Sequence, residues 1–365
     1  MKIKKIGEPQ VIMSNPAGIH NYFAWPTVAR LKNGRIAVGA SGFRLAHICP
    51  FGKGVIAISE NEGKTYTPPM PVIDTVLDDR DVGLCPFGES GLIVTSFNNT
   101  VAFQRSKNLM DENYKNAYLD LVPPEAEQAA LGATFRISLD NGVTFGPIYR
   151  SPTTSPHGPM ELKDGSILWI GRTHSKDDSD QGETDFVGAY RLNPNNGEVS
   201  LLGRIPPIED EYGHILSCEP HTIELPDGTL LCHIRVNRYT NQENARVFTV
   251  YQSRSKDGGK TWEQPYPLLP RLGGSPAHIL RLENGTLISV YGYREKPCAI
   301  RMMYSQDNGE TWDTGHILVE GYGTDDLGYP STIELKDHTL LTVYYARQNR
   351  ETPAMIYQQK WKLED

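Results

Sequence analysis

Ser255-Lys-Asp257-Gly-Gly259-Lys-Thr261-Trp262 follows a pattern, Ser-x-Asp-x-Gly-x-Thr-aromatic, that the chain carries elsewhere. It returns as Ser305-Gln-Asp307-Asn-Gly309-Glu-Thr311-Trp312 and as Ser138-Leu-Asp140-Asn-Gly142-Val-Thr144-Phe145. A fourth copy, Ser59-Glu-Asn61-Glu-Gly63-Lys-Thr65-Tyr66, has Asn in place of Asp. The chemistry is that of a hairpin corner. The Asp or Asn oxygen caps backbone amides of the turn, the glycine takes φ above zero, and the aromatic ring packs where the returning strand begins. Copies this alike mark a repeat architecture.

A second repeat interleaves with the first: a short strand, an Asp/Asn-Gly turn, then an apolar strand. It runs through Pro26–Val38 around Asn33-Gly34, Met160–Ile170 around Asp164-Gly165, and His221–Leu231 around Asp227-Gly228. Further copies are His278–Ile288 around Asn284-Gly285, Ser331–Leu341 around Asp337-His338, and a degenerate Val82–Val94 around Gly88. Asn-Gly or Asp-Gly between alternating apolar residues is the strongest short-range hairpin signal. Each of these six hairpins is followed by two more strands, and four-stranded sheets set radially make a β-propeller. The expected fold is therefore all-β, a six-bladed β-propeller. Only one good strand, Ala354–Trp361, remains after the sixth hairpin, so Gln10–Met13 is expected to complete the last blade and close the ring. Residues 1–365 read as a single domain with an insertion at about 99–131, helix-like around Glu125–Leu131 and placed over blade two, where it can wall the site.

Composition narrows the function. The net charge of −8 leaves no basic surface for phosphate neutralisation, so nucleic acid is excluded as a partner. No apolar stretch approaches the roughly 20 residues that span a bilayer. The N-terminal Met1-Lys2-Ile3-Lys4-Lys5 is basic, but Gly7-Glu8-Pro9-Gln10 follows where a signal peptide needs an apolar core, and a cytoplasmic location is expected. The five cysteines (Cys49, Cys85, Cys218, Cys232, Cys298) show no C-x-x-C spacing and no cluster with histidine, so they read as reduced, buried thiols. No cofactor or metal is expected.

Repeat order assigns a face to each turn. The Ser-x-Asp corners join third and fourth strands and lie on the face opposite the starts of the first strands; they read as structural. Functional residues belong where first strands begin and second strands end. The starts hold Trp25, Asp81, His157, Glu219, Pro276 and Tyr329. The ends hold Arg44, Asn98, Arg172 with His174, Arg235, Arg294 and Arg347, and loops between second and third strands add His47 and Arg301. Any one of these arginines is as well explained by a loop carboxylate such as Asp78, Asp79, Asp325 or Asp326. Taken as a ring, they describe an anion-recognising pocket, because a fork of donors suits a carboxylate.

With these residues in place the chain resembles the sialidase (neuraminidase) superfamily over essentially its full length, and the Ser-x-Asp-x-Gly-x-Thr-Trp repeats are that superfamily's Asp boxes. Cys218-Glu219-Pro-His-Thr-Ile-Glu-Leu, with Arg235 on the next strand, is similar to the sialidase pairing of a general-base glutamate with an arginine of the carboxylate-binding triad. Gly328-Tyr329-Pro-Ser-Thr-Ile-Glu-Leu is similar to the segment that bears the tyrosine nucleophile, and Arg294 or Arg301 stands for a further triad arginine. Two departures accompany the resemblance. Sialidases begin blade one with Tyr-Arg-Ile-Pro, whose arginine belongs to the triad; here the segment is Phe23-Ala24-Trp25-Pro26, in which tryptophan offers a face for stacking on a sugar. The loop after Arg44, Leu45-Ala-His47-Ile-Cys-Pro-Phe51, lacks the aspartate acid/base.

The resemblance implies a retaining exo-glycosidase for sialic acid or another acidic sugar. Tyr329 would be the nucleophile and Glu219 its base, since tyrosine with an unperturbed pKa of about 10 needs one. His47 and Asp81 are the candidates for the acid, and Arg44, Arg235, Arg294, Arg301, Trp25 and His157 the substrate-binding set. The same fold admits a polysaccharide lyase or a uronate-directed hydrolase, with His47 or His157 abstracting a proton, and a non-catalytic carbohydrate-binding propeller.

Overall fold

The computed structural model describes residues 1–174, 186–208, 215–239, 246–268 and 276–364. Six antiparallel sheets stand in a ring. Blade one comprises Tyr22–Arg30, Ile36–Arg44, Lys53–Ser59 and Met70–Ile73. Blade two comprises Arg80–Phe87, Gly91–Phe97, Ala133–Ser138 and Tyr149–Ser151. In blade three the first strand is broken into Thr153–Thr154 and Met160–Glu161, ahead of Ile167–Thr173, Val187–Asn193 and Glu198–Arg204. Blade four runs through Ile215–Glu224, Leu230–Tyr239, Arg246–Ser255 and Tyr266–Pro267. Blade five runs through Ala277–Arg281, Leu287–Tyr293, Ala299–Ser305 and Asp313–Glu320.

Blade six closes the ring as expected. Leu327–Glu334, Leu340–Ala346 and Met355–Glu364 are completed by the N-terminal strand Lys2–Met13. The pairing includes Gln10↔Gln358 and Val11↔Tyr357 and extends out to Lys2↔Glu364, longer than the sequence pattern suggested. Pairing the two ends of the chain in one sheet fastens the ring, and Lys2–Met13 covers the edge that Met355–Glu364 would otherwise expose.

Second strands are the most apolar, and Leu340–Ala346 is buried throughout. Neighbouring blades share their cores: Met13, Trp25, Val38, Leu341 and Tyr345 form one cluster between blades one and six. The Ser-x-Asp corners take the expected form. Asp257 accepts from the amides of Lys260 and Thr261 at 3.1 and 2.9 Å and from the Thr261 hydroxyl at 2.6 Å, while Ser255 Oγ accepts from Gly259 N at 2.9 Å. These hydrogen bonds, the Thr261 hydroxyl first, hold the Asp257 carboxyl down to about 2, as befits a turn cap. The insertion in blade two carries three short helices, Val101–Arg105, Glu112–Leu119 and Pro124–Ala130. Tyr114 and Tyr118 of the second pack on Phe51 from blade one, with ring centroids 5.1 and 4.9 Å away.

Candidate active site

One backbone device recurs at the starts of the first strands. In blades one, two, four and six the ladder slips by one residue, so that 25–26, 81–82, 219–220 and 329–330 each face a single residue of the second strand. The first residue of each pair is left-handed: Trp25 at φ 55°, Asp81 at 44°, Glu219 at 49° and Tyr329 at 50°. Non-glycine residues there cost about 1–3 kcal/mol apiece and persist where the surroundings enforce them. A bulge of this kind interrupts the alternation of the strand and re-aims one side chain. Pro26, Pro220 and Pro330 follow three of the four, and a residue with no N–H is tolerated where a ladder bond is already lost.

The bulges of blades four and six bring the expected pair together. Tyr329 donates its hydroxyl proton to Glu219 Oε1. Arg235, which pairs across the ladder with Cys218, donates from Nη1 to Glu219 Oε2 at 2.5 Å and to the Tyr329 oxygen at 3.2 Å. Its Nε is held by Asn237 Oδ1 at 3.2 Å. Arg294 approaches from blade five, its guanidinium carbon 5.9 Å from the centroid of the Tyr329 ring. It is fixed by the Leu327 carbonyl at 2.9 Å and the Tyr345 hydroxyl at 3.0 Å. Arg235 Nη2 and Arg294 Nη1 have no hydrogen-bond partner among the described residues, and neither is sealed from solvent.

Charge follows from this packing. Burial drives the Tyr329 phenol well above its usual range, and Glu219 and Asp81 add to that, against Arg235 and Arg294. Burial also pushes the Glu219 carboxyl up, but the charge of Arg235, hydrogen bonds from Tyr329 and Arg235, and the charge of Arg294 together hold it below the ordinary range. The resting pair is therefore phenol and carboxylate. At unperturbed values, moving the proton outright costs about 8 kcal/mol, so transfer has to accompany bond formation by the phenolic oxygen. Asp81 is buried, its Oδ1 has no partner, and burial opposed by Arg80 and reinforced by Glu219 pushes it up to about 7.

Other expected residues lie elsewhere. Trp25 is only 1 % exposed, with the guanidinium of Arg80 4.1 Å and that of Arg44 4.8 Å from its ring centroid, so no sugar can stack on it. Arg44 is 0 % exposed. It pairs with Asp78 at 2.5 Å and donates to Ser41 Oγ and the His47 carbonyl, both at 2.8 Å; its part is to hold the floor, not to touch a ligand. The alternative that loop carboxylates neutralise rim arginines thus describes Arg44, and also Arg347, which meets Asp326 at 3.4 Å. Arg301 lies flat on Tyr293 at 3.4 Å from the ring centroid, so of the two alternatives it is Arg294 that reaches Tyr329. His157 is buried, bonded through Nδ1 to Thr27 Oγ1 at 3.1 Å and set edge-on to His221 and His278; the group lines a hollow of about 380 Å³.

His47 is 40 % exposed and packs edge-on against Trp25, ring centroids 4.9 Å apart. Its Nδ1 lies 3.4 Å from Asp326 Oδ1 and 3.2 Å from the Tyr22 hydroxyl, which itself donates to both Asp326 oxygens at 3.1 and 3.0 Å. Arg80, Tyr22, Asp326 and Tyr345 were not singled out by sequence as site residues. The adjoining Asp78-Asp79-Arg80-Asp81 and Asp325-Asp326 runs were the available signal.

The sequence matches the family model of the BNR repeat-like domain over residues 98–343, and the chain belongs to that family. Comparison with curated protein sequences found no match. Among solved structures, a protein of unknown function from Dyadobacter fermentans is 21% identical, with 99% of each chain covered and a TM-score of 0.74. The intramolecular trans-sialidase from Ruminococcus gnavus, in complex with oseltamivir carboxylate, is 11% identical over 97% of each chain, with a TM-score of 0.65. An alpha-L-arabinanase from Penicillium chrysogenum, complexed with arabinobiose, is 14% identical over 98% of this chain and 97% of that one, with a TM-score of 0.59. Likeness at these identities is likeness of fold: the chain is a six-bladed β-propeller built from BNR-type repeats, with the fold that sialidases share.

Proposed function

We propose that the protein is a retaining exo-glycosidase acting on sialic acid or another acidic sugar. The observation that carries this reading is the hydrogen bond from Tyr329 to Glu219 with Arg235 donating to both. A neutral phenol suits an anomeric centre that bears or neighbours a carboxylate, because an anionic nucleophile would be repelled there. Arg235 Nη2 and Arg294 Nη1 supply donors for that carboxylate on the same side as the phenol. Tyr329 attacks the anomeric carbon, its proton passes to Glu219, and the arginines stabilise the negative charge that develops on the phenolic oxygen. Fold relatives that include a trans-sialidase and an arabinanase support carbohydrate as the partner.

The test is turnover of 4-methylumbelliferyl glycosides of N-acetylneuraminic acid and glucuronic acid, beside neutral glycosides of the same aglycone. Cleavage confined to an acidic sugar and lost in Tyr329→Phe supports the reading. Cleavage of neutral glycosides alone refutes the carboxylate assignment. An unsaturated product from a polyuronide would move the chemistry to a lyase.

A further inference from the structure

A hollow of about 430 Å³ has His47 and Tyr22 in its wall. Ile19 and Leu109 also line it and are 74 % and 52 % exposed, apolar side chains left open to water. Leu109 comes from the helical insertion of blade two and Ile19 from the segment before blade one, so both the insertion and the N-terminal approach shape this hollow. His47 is in the hollow's wall and packs edge-on against Trp25, whose ring centroid lies 6.4 Å from that of Tyr329. We infer that His47, positioned by Asp326, is the proton donor to the leaving group, and that this hollow is the subsite for a neutral sugar as leaving group. The inference rests on the glycosidase reading and fills the acid role that the missing aspartate leaves open.

The hydrogen bonds fix the orientation of the ring. Tyr22 gives its proton to Asp326, so His47 Nδ1 must carry a proton to meet either oxygen, which leaves Nε2 for the substrate. Asp326 thus acts through His47, as an orienting carboxylate acts on imidazole in other acid–base pairs. In the first step the glycosidic C–O bond breaks as the Tyr329 oxygen bonds to the anomeric carbon. The leaving oxygen takes the Nε2 proton of the imidazolium, and Glu219 takes the phenolic proton. In the second step water attacks the same carbon and gives a proton to Nε2, and Tyr329 departs, recovering its proton from Glu219. Protons and charge balance over the cycle.

The hollow suits a neutral group. Arg347 is held by Asp326 and by the carbonyls of Thr352 and Arg350, at 3.4, 2.7 and 2.5 Å, and its charge is offset by Asp326. Glu351 in the lining would repel one. Ile19 and Leu109 match the apolar face of a pyranose, and Asn21 and Glu351 can meet its hydroxyls.

Asp326 and Tyr22 meet the imidazole, the charges of Arg80 and Arg294 act on it, Arg44 and Arg80 hold the His47 carbonyl, and Arg347 stands behind Asp326. Burial lowers the His47 pKa, Arg80 and Arg294 lower it further, and Asp326 opposes them. Activity is therefore lost as pH rises through a value below the ordinary imidazole range, and Asp326→Asn moves that limb lower still.

The experiment compares 4-nitrophenyl and lactosyl glycosides of N-acetylneuraminic acid on wild type, His47→Ala and Asp326→Asn. A 4-nitrophenolate leaves with little help, so its loss in His47→Ala should be under about 5-fold, while the lactosyl substrate should lose about 10²–10⁴-fold. Equal losses on both substrates overturn the inference. If Tyr329→Phe keeps its rate while His47→Ala shows the leaving-group contrast, the nucleophile assignment fails and this one stands. Should neither glycoside be cleaved, histidine NMR on the full chain decides: lactose alone should shift the His47 resonances, and Leu109→Asp should abolish that shift. No response of His47 to lactose, or an unchanged His47 titration in Asp326→Asn, overturns it.

Discussion

Removing Arg235 should change the pH profile as well as the rate. Its Nη1 lies 2.5 Å from Glu219 Oε2, and the Glu219 side chain is only 19 % exposed. Opposite charges about 4 Å apart interact by about 4 kcal/mol at an effective dielectric of 20. Arg294 remains nearby and water would enter the space left by the side chain, so a fraction of that is the net effect. Burial then acts on Glu219 with less opposition, and its pKa rises in Arg235→Ala. Since the base must be ionised, activity falls as pH drops through that pKa, and the acid limb of kcat/KM should move upward by about one pH unit or more. At pH 7–8 Glu219 is ionised in both proteins and only the lost contact to the substrate carboxylate counts, a ten- to hundredfold drop from about 1.5–3 kcal/mol. At lower pH the deficit should grow, because Glu219 is protonated in the variant before it is in the wild type. The assay is kcat/KM from pH 4.5 to 8.5 on an acidic aryl glycoside, starting at about the ordinary carboxylate range. Parallel profiles, or a loss below about threefold at pH 7, would refute the clamp.

Glu219→Gln should cost nearly as much turnover as Tyr329→Phe, and the double variant little more than either, because the two act as a unit; additive losses in kcat would separate them. Arg44→Met leaves the buried Asp78 with only Arg80, at 3.6 Å, and the Cys49 amide, and should lower stability by up to about 3–5 kcal/mol in urea unfolding, with KM for the acidic glycoside unchanged in the folded fraction. A raised KM with intact stability would return Arg44 to the substrate-binding set. Deleting residues 2–13 opens blade six along the Met355–Glu364 edge and should lower Tm by several degrees and promote association through that edge, which thermal scans and light scattering would read.

The blade count was legible because two kinds of turn, each with its own side-chain chemistry, alternate along the chain: the Ser-x-Asp corners and the Asp/Asn-Gly hairpins. Turn residues act locally, so their pattern survives without tertiary context. Glu219, Tyr329 and Arg235 were legible for a related reason, since equivalent places in successive blades face one mouth. Depth within the mouth was not. Arg44 ends its second strand while Arg235 lies within one that runs on to Tyr239; one is sealed beneath Trp25 and the other bonds to Tyr329, and Asp78 reaches Arg44 from the connection into blade two. Trp25 is buried by Arg80 and Arg44 from other segments, something no local pattern announces. The partnership of His47 with Asp326 joins residues 279 apart, contributed by opposite ends of the chain. The left-handed bulges did leave a trace, the prolines at 26, 220 and 330, each one residue after a left-handed residue.

Covalent trapping tests the central claim most directly. A 2,3-difluorinated sialic acid with fluoride as its leaving group slows the second step more than the first, so the sugar should accumulate on the nucleophile. Peptide mass analysis of the inactivated protein is expected to place the sugar on the Tyr329 oxygen, and Tyr329→Phe should take up no label. A sugar ester on Glu219 or Asp81, or steady turnover by Tyr329→Phe, would contradict the account.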